Sequence, residues 1–403
     1  MKILFLTSRL PYPPHRGDRI RTFHFLRRLA RDHEVHLISF IETREEERYF
    51  PILEQFSRVD TVLLPKENSF RNMIRGIPSS LPLQLHYYRS VEMEALVRQR
   101  SEATRFDLVY THLFRMAPFA VLVDGAIRVL DLTDCVSREL GGSISYRPLW
   151  MRLPLRMETA RIRLYEKEVT ADFDEVWTIS ESDRDEIAAG APGARIHVVP
   201  NGVSQELFDV RTDRKSPILG FLGNYQVPHN IDAARILALR VMPIVRSRFA
   251  DAQLHLIGHG HSRAVDRLDG FNGTVVVGPI DNWADALSPL SVFVAPLRYA
   301  AGVQNKIVEA MAAGLPVVTS SPGNCGLQAR SGSEILVYDS LEEFAVATGD
   351  LLRDPNRAAA IGERGRAFVR SRFSWDRVAE RVGELLASRS VLGGPGLPEG
   401  TGG

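Results

Sequence analysis

Short, nearly uninterrupted apolar runs alternate along the chain with longer stretches whose apolar residues recur every three or four positions. In the first half the runs are Ile3–Thr7, Val35–Phe40, Thr61–Leu64, Leu108–Thr111, Val129–Leu132, Val176–Ile179 and Ile196–Val199. A run with no polar alternation marks a parallel strand covered on both faces. Residues 18–30 place Ile20, Phe23, Leu26 and Ala30 on one helical stripe, with Asp18 as the expected N-cap. Strand and helix in this repeated order predict a doubly wound parallel α/β sheet.

The pattern restarts near residue 217, with runs at Ile218–Leu222, Leu254–Ile257, Val275–Val277, Val292–Ala295, Pro316–Thr319 and Ile335–Val337. The Asn201-Gly202 turn and the polar stretch Asp209–Ser216 separate the two series. Two Rossmann-like halves facing a central cleft are therefore expected: residues 1–205 and 206–373. A helix capped by Ser374, with Val378, Val382 and Leu385 as its stripe, spans 374–390 and is expected to pack back toward the first half. The Gly/Pro-rich tail 391–403 has too little apolar content to build a core and reads as disordered.

Composition narrows the function classes. At 403 residues the chain exceeds one ordinary core. A net charge of +1 gives no global ground for binding nucleic acid or an anionic membrane surface. Cys135 and Cys325 stand far apart and form no redox or metal motif. No apolar run reaches the length of a membrane-spanning helix. The start Met1–Thr7 runs into Arg9, Pro11 and Pro13 with no cleavage site, which fits a first strand rather than a leader. A cytoplasmic protein is expected.

The segment from Ala295 to Ser320 is the most informative. A strand ends at Pro296, a loop containing Gly302 follows, a helix is expected from Val303 to Ala313, and Gly314 closes it. This puts an open helix N-terminus at the C-terminal edge of a parallel sheet. The amides of Val303, Gln304 and Asn305 would face an anion there, and Gly302 would let a phosphate approach the backbone. Lys306 adds a full positive charge, with Arg298 as a helper. Glu309, three residues on, suits ribose hydroxyls rather than phosphate. A solvated Lys-Glu pair on an ordinary amphipathic helix is the competing reading.

The run Gly302-Val-Gln-Asn-Lys-Ile-Val-Glu-Ala-Met-Ala-Ala-Gly-Leu-Pro-Val-Val318 resembles the donor-binding motif of glycosyltransferase family 4, nearest its PEP-CTERM/exosortase-associated exopolysaccharide branch. Supporting segments are Pro11–Arg21, Val198–Val203, Phe221–Ala233 and Phe373–Trp375, and the resemblance extends to about residue 388. It implies a GT-B fold and retaining sugar transfer from a nucleotide-sugar, with no cofactor or metal. The acceptor would be a hydroxyl of a saccharide, a lipid-linked sugar or a small molecule. Glu309 matches the family's second motif glutamate, implied to bind ribose, whereas the first falls at Ala301 and is absent. Gly223 and Asn224 follow the first strand of the second half and are implied donor contacts. Asn224 and His229 stand where the family often carries an Arg and a Lys.

The resemblance also implies a donor-sugar contact for His112, at the end of the fourth strand, and a donor-side role for Gly17 in the first loop. Arg16 and Asp134 are weaker acceptor-side candidates; Asp131 and Thr133 share the strand end with Asp134, whose alternative is a helix cap. In 151–169, Arg152, Arg156, Arg163 and Lys167 share one helical face, and Leu153, Met157, Ala160 and Leu164 form the adjacent stripe. That is a seat for a polyprenyl-diphosphate acceptor, a peripheral contact with the inner face of a membrane, or a core helix with a solvated basic face whose charge Glu158, Glu166 and Glu168 dilute. Two other functions compete with transfer: a non-hydrolysing nucleotide-sugar epimerase, and a non-catalytic sugar-nucleotide-binding scaffold.

Overall fold

The computed structural model describes residues 1–14, 17–133, 135–212, 216–260, 262–280, 282–300 and 302–392. Two parallel sheets form. The first orders its strands β3-β2-β1-β4-β5-β6-β7 and the second β10-β9-β8-β11-β12-β13. The strands are β1 Lys2–Thr7, β2 Glu34–Ile41, β3 Arg58–Leu63, β4 Leu108–His112, β5 Ile127–Thr133, β6 Glu175–Thr178 and β7 Ile196–Val198. The second series is β8 Ile218–Leu222, β9 Gln253–Ile257, β10 Thr274–Val277, β11 Val292–Ala295, β12 Val317–Thr319 and β13 Leu336–Val337.

The unbroken apolar runs have a direct structural cause. Successive side chains of a strand point to opposite faces. In β1, Leu4 and Leu6 enter one core with Ile38, Phe40, Phe114 and Ile162, while Ile3 and Phe5 enter another with Phe25, Leu29 and Trp177. Every second residue thus feeds a different core, and both sets must be apolar. The second sheet is enclosed within a single cluster that includes Phe221, Leu256, Phe293 and Val318.

Each expected run becomes a strand, with end shifts that have physical reasons. The edge strand β3 starts at Arg58 rather than Thr61 because polar residues suffice there, and Asp60 is held by Arg100 and His36. Strand β12 starts after Pro316, which lacks the ladder N–H. The first helix is Gly17–Asp32, so Asp18 lies inside it rather than capping it. Its carboxylate accepts from Arg9 Nη1 at 3.2 Å and from its neighbour's amide, Arg19 N, at 3.0 Å.

The last helix is Trp375–Leu392, with Arg377 N donating to Ser374 Oγ at 3.3 Å. Val378, Val382 and Leu386 join the core beneath Phe25 and Leu29 of the first half. The chain's two passes between the halves pair directly: Val203 N donates to Phe373 O at 2.6 Å. The Gly/Pro tail beyond Leu392 lies outside the described residues.

Both sheets reverse strand order beside their first strand, where β1 lies between β2 and β4 and β8 between β9 and β11. Open α/β sheets bind ligands at such switch points, beyond the C-terminal strand ends.

Candidate functional site

Both switch points open into one cleft of about 740 Å³. Asp18, Arg115, Thr133, Arg138 and Asn201 line it from the first half; His229, Asn230, Tyr299 and the turn Val303–Lys306 line it from the second.

The second half supplies an open helix start. The helix runs from Asn305 to Ala312, two residues later than its expected beginning. Gln304 is extended at the N-cap (φ −83°, ψ 97°), and the first bond of the helix runs from Ile307 N to Gln304 O at 2.9 Å. The amides of Val303 and Gln304 therefore belong to the loop, and Asn305 and Lys306 begin the helix. Gly302 has φ +60°, the left-handed region where only glycine is unstrained. A second glycine fixes this loop and was not singled out from sequence. A Cβ on Gly326 would fall 2.2 Å from Gly302 O, so the loop keeps its course only because Gly326 has no side chain.

Lys306 Nζ donates to Asn230 Oδ1 and lies 5.2 Å from the Phe221 ring centroid. Asn230 Nδ2 in turn donates to the backbone carbonyl of Asn224 at 3.0 Å. Asn224 thus enters the site through its carbonyl. Its own Oδ1 is taken by Gln226 N at 2.9 Å, and the side chain does not form the cleft wall, contrary to the expectation from sequence.

Arg298 also departs from expectation. Its Nε donates to Asp232 Oδ2 at 2.6 Å, and it lines a separate 790 Å³ cavity with Asp232, Ser320 and Tyr338. The turn after β11 carries it away from the cleft. Among the described residues, the cations that line the cleft besides Lys306 are Arg115 and Arg138, neither of which is a candidate from sequence. Arg115 donates to Ser8 Oγ at 3.1 Å and to Gln84 Oε1 at 2.9 Å. Its only sequence signal is its place three residues after His112 at a strand end.

Glu309 lies one turn beyond Lys306, partly buried and set back from the cleft wall. Burial pushes its carboxyl up to about 7 against the opposing pull of Lys306, and burial pushes the Lys306 ammonium down to about 8. His229, packed edge-on to Tyr299 at 5.4 Å, is pushed down to about 4 by burial and Lys306.

On the opposite wall His112 is only 3% exposed, just beneath the surface that Thr133 presents to the cleft. Its Nε2 lies 3.3 Å from Thr133 Oγ1, and burial lowers it to about 4, so the ring is neutral near pH 7. Leu113 (φ +69°) and Thr133 (φ +62°) are both left-handed. Such strain in a β-branched residue persists only where its surroundings impose it, and it clusters at functional sites.

Those surroundings are a buried network. Arg21 donates to Asp131 through Nε (2.7 Å) and Nη2 (3.0 Å), and through Nη1 to Asn201 Oδ1 (3.1 Å). Tyr110 donates its hydroxyl to Asp131, and Thr133 N donates to Asp131 Oδ1 at 3.1 Å. Asp131 is therefore fully engaged by protein groups and does not face an acceptor, and Arg21 is wholly buried. Gly17 opens the first helix next to the cleft-lining Asp18. Arg16, Asp134 and Ala301 lie outside the described residues.

The charges give the cleft a defined pH response. An anion held by Lys306 needs the protonated amine, which is present below about pH 8 and lost above it. Pyrophosphate binding, read as thermal stabilisation, is expected to weaken as pH rises through about 7, where the Glu309 carboxyl one turn from Lys306 gains its negative charge, and again through about 8, where Lys306 loses its positive one; the two histidines add no step because both are already neutral there. Stabilisation that stays constant or grows between about pH 7 and 9 would contradict this assignment.

Comparison with known proteins agrees with the two-half arrangement. Residues 16–202 match the glycosyl transferase 4-like domain, and residues 216–354 match the glycosyl transferases group 1 family. A GDP-mannose-dependent alpha-(1-6)-phosphatidylinositol monomannoside mannosyltransferase of Mycolicibacterium smegmatis is 27% identical over 263 residues, 60% of this chain and 67% of that protein. A phosphatidyl-myo-inositol mannosyltransferase of Mycobacterium tuberculosis is 31% identical over 207 residues, 46% of this chain and 52% of that one. Among solved structures, sucrose-phosphate synthase from Thermosynechococcus elongatus superposes with a TM-score of 0.67 at 16% identity, covering 97% of this chain and 99% of that one. HepE of Anabaena in complex with UDP-glucose gives 0.65 at 15% identity, covering 96% and 100%. At these identities the structural likeness concerns the fold.

Proposed function

The chain is a glycosyltransferase of the GT-B fold, and from that premise we propose that it transfers a sugar, with retention of configuration, from a nucleoside-diphosphate donor to a hydroxyl acceptor in polysaccharide or glycoconjugate synthesis. The observation that carries the reading is Lys306 at an open helix start, facing Arg115 and Arg138 across the cleft. Charge that builds on the departing diphosphate is stabilised by these fixed cations and by the Asn305 and Lys306 amides. This needs no metal and no cofactor. Glu309 accepts from the ribose, and the neutral His112 stands behind Thr133 at the donor sugar. The acceptor enters along the first half, past Asp18 and Glu139. The resemblance to the exopolysaccharide branch supports a polysaccharide product made in the cytoplasm.

The names of the mannosyltransferase relatives specify GDP-mannose, and HepE was solved with UDP-glucose, so GDP and UDP head the test. Thermal shifts with GDP, UDP, ADP and TDP are expected to show stabilisation by one nucleotide, lost in Glu309→Ala. At about a hundredfold excess over Kd the stabilisation amounts to ~2.7 kcal/mol. No shift with any of the four would remove the donor-site reading. Incubating the matching nucleotide-sugar without acceptor separates the rival reaction: an epimerase isomerises it, whereas a transferase leaves its configuration unchanged.

A further inference from the structure

The helix Leu149–Glu168 turns its apolar stripe outward. Leu149 is 78% exposed, Trp150 77%, Leu153 67% and Met157 53%, while the buried positions on the same helix are Thr159, Ile162 and Glu166. A core-facing helix buries its apolar stripe; this one buries a narrow, partly polar face and leaves the large residues outside.

A second exposed group lies alongside. Phe70 and Ile74 on the helix Lys66–Arg75, and Ile77 just after it, are each more than half exposed. The two groups are tied together. Arg161 Nη2 donates to Ile77 O at 2.6 Å, and Leu83 N donates to Glu158 Oε1 at 2.7 Å. These bonds set Ile77 beside the Met157 end of the stripe, so the two exposed groups are neighbours rather than scattered apolar residues, which would need no explanation.

The charges around this surface are mainly basic, although Arg163 is paired with Glu186 and Lys66 with Glu42, and Glu168 is exposed at the far end of the helix. Residues 147–164 hold five arginines against one acidic residue, Glu158, which is paired with Arg161. Residues 66–81 hold three basic residues against Glu67. Arg156 and Arg75 are exposed beside the apolar positions. An exposed aromatic and aliphatic face rimmed with arginine is the chemistry of a helix lying in the plane of an anionic bilayer. A protein partner would need a matching acidic rim, and a second copy would set arginines against arginines.

The position of the surface also matters. Glu139, Ser143 and Arg147 lead from the cleft toward Leu149, lining a smaller cavity whose other wall includes His229 and Tyr299. That cavity shares Val136, Glu139, His229 and Tyr299 with the main cleft.

We propose that the surface formed by residues 70–77 and 149–157 docks on an anionic phospholipid bilayer and holds the cleft mouth next to it. This goes beyond the transfer reading and does not depend on it. The test is flotation of the whole protein with vesicles of phosphatidylcholine alone or with about 30 mol % phosphatidylglycerol. Wild type is expected to float with the anionic vesicles only, and to detach as salt is raised toward about 1 M. Trp150→Ser with Leu153→Ser, and separately Phe70→Ser with Ile74→Ser, should each lower partitioning about tenfold or more. Because these side chains are exposed, the melting temperature and the nucleotide-induced shift should match wild type. Three results would overturn the proposal: wild type failing to float with anionic vesicles, equal flotation with phosphatidylcholine alone, or serine variants floating like wild type. A wild-type dimer in solution that Trp150→Ser with Leu153→Ser converts to monomer would likewise reassign the surface to self-association.

Discussion

Replacing Lys306 with alanine is expected to abolish nucleotide-induced thermal stabilisation and to lower transfer by roughly 10²- to 10³-fold. The lysine acts at three levels. Its backbone amide belongs to the first turn of the helix, its ammonium lines the cleft beside that turn, and its bond to Asn230 fixes the loop after β8 through Asn224 O. Removing it also strips Glu309 of a neighbouring charge that lowers its carboxyl, so that group shifts further up from about 7 and is more often protonated at neutral pH. Lys306→Arg keeps the charge but needs a larger planar head beside Phe221 and Asn230, so intermediate activity is expected. Asn230→Ala separates the two roles. It leaves the charge and loses the tether, and should weaken binding by no more than about tenfold. A Lys306→Ala enzyme that still binds nucleotide as wild type does would move the phosphate site to Arg115 and Arg138.

The donor half was legible in the sequence because its determinants are local. Gly302, Lys306 and Glu309 fall within eight residues, and the strand before them is read from its apolar run. What escaped was everything set by approach in space. Gly326 matters only because the loop at Gly302 passes 2.2 Å from where its Cβ would be. Arg115 and Arg138 reach the cleft because the β4 and β5 ends converge there, and Arg298 misses it because the turn after β11 delivers it to Asp232. The stripe of Leu153, Met157 and Leu164 was correctly grouped by helical period, but period cannot say whether a stripe faces core or outside. Helix ends moved by one or two residues for the same reason: Gln304 and Asp18 take their roles from partners, not from neighbours in sequence.

The same limit hid the buried ion pair of Arg21 and Asp131 in the first half. Asp131→Ala is expected to destabilise the protein by about 3–5 kcal/mol, because it leaves the Arg21 guanidinium buried without its counter-charge. Both side chains are wholly enclosed, and the bond between them is bidentate. Against a total stability of about 5–15 kcal/mol, the loss is large enough to lower the unfolding midpoint in urea plainly. Much of it is the penalty of an orphaned charge rather than the net contribution of the pair. The double replacement Arg21→Met with Asp131→Leu should therefore recover a substantial part, giving a coupling energy in the upper range of about 0.5–3 kcal/mol. Activity should behave differently. Asp131 accepts from Thr133 N and so holds Thr133 at φ +62°, with His112 against its hydroxyl. Neither replacement restores that acceptor, so Thr133 should relax to an ordinary backbone conformation in both. The double variant is then expected to be stable yet poorly active. If it regains activity along with stability, the network is scaffold alone and the strained Thr133 has no part in shaping the cleft; if it regains stability only, the ion pair's role is to hold that strain in place.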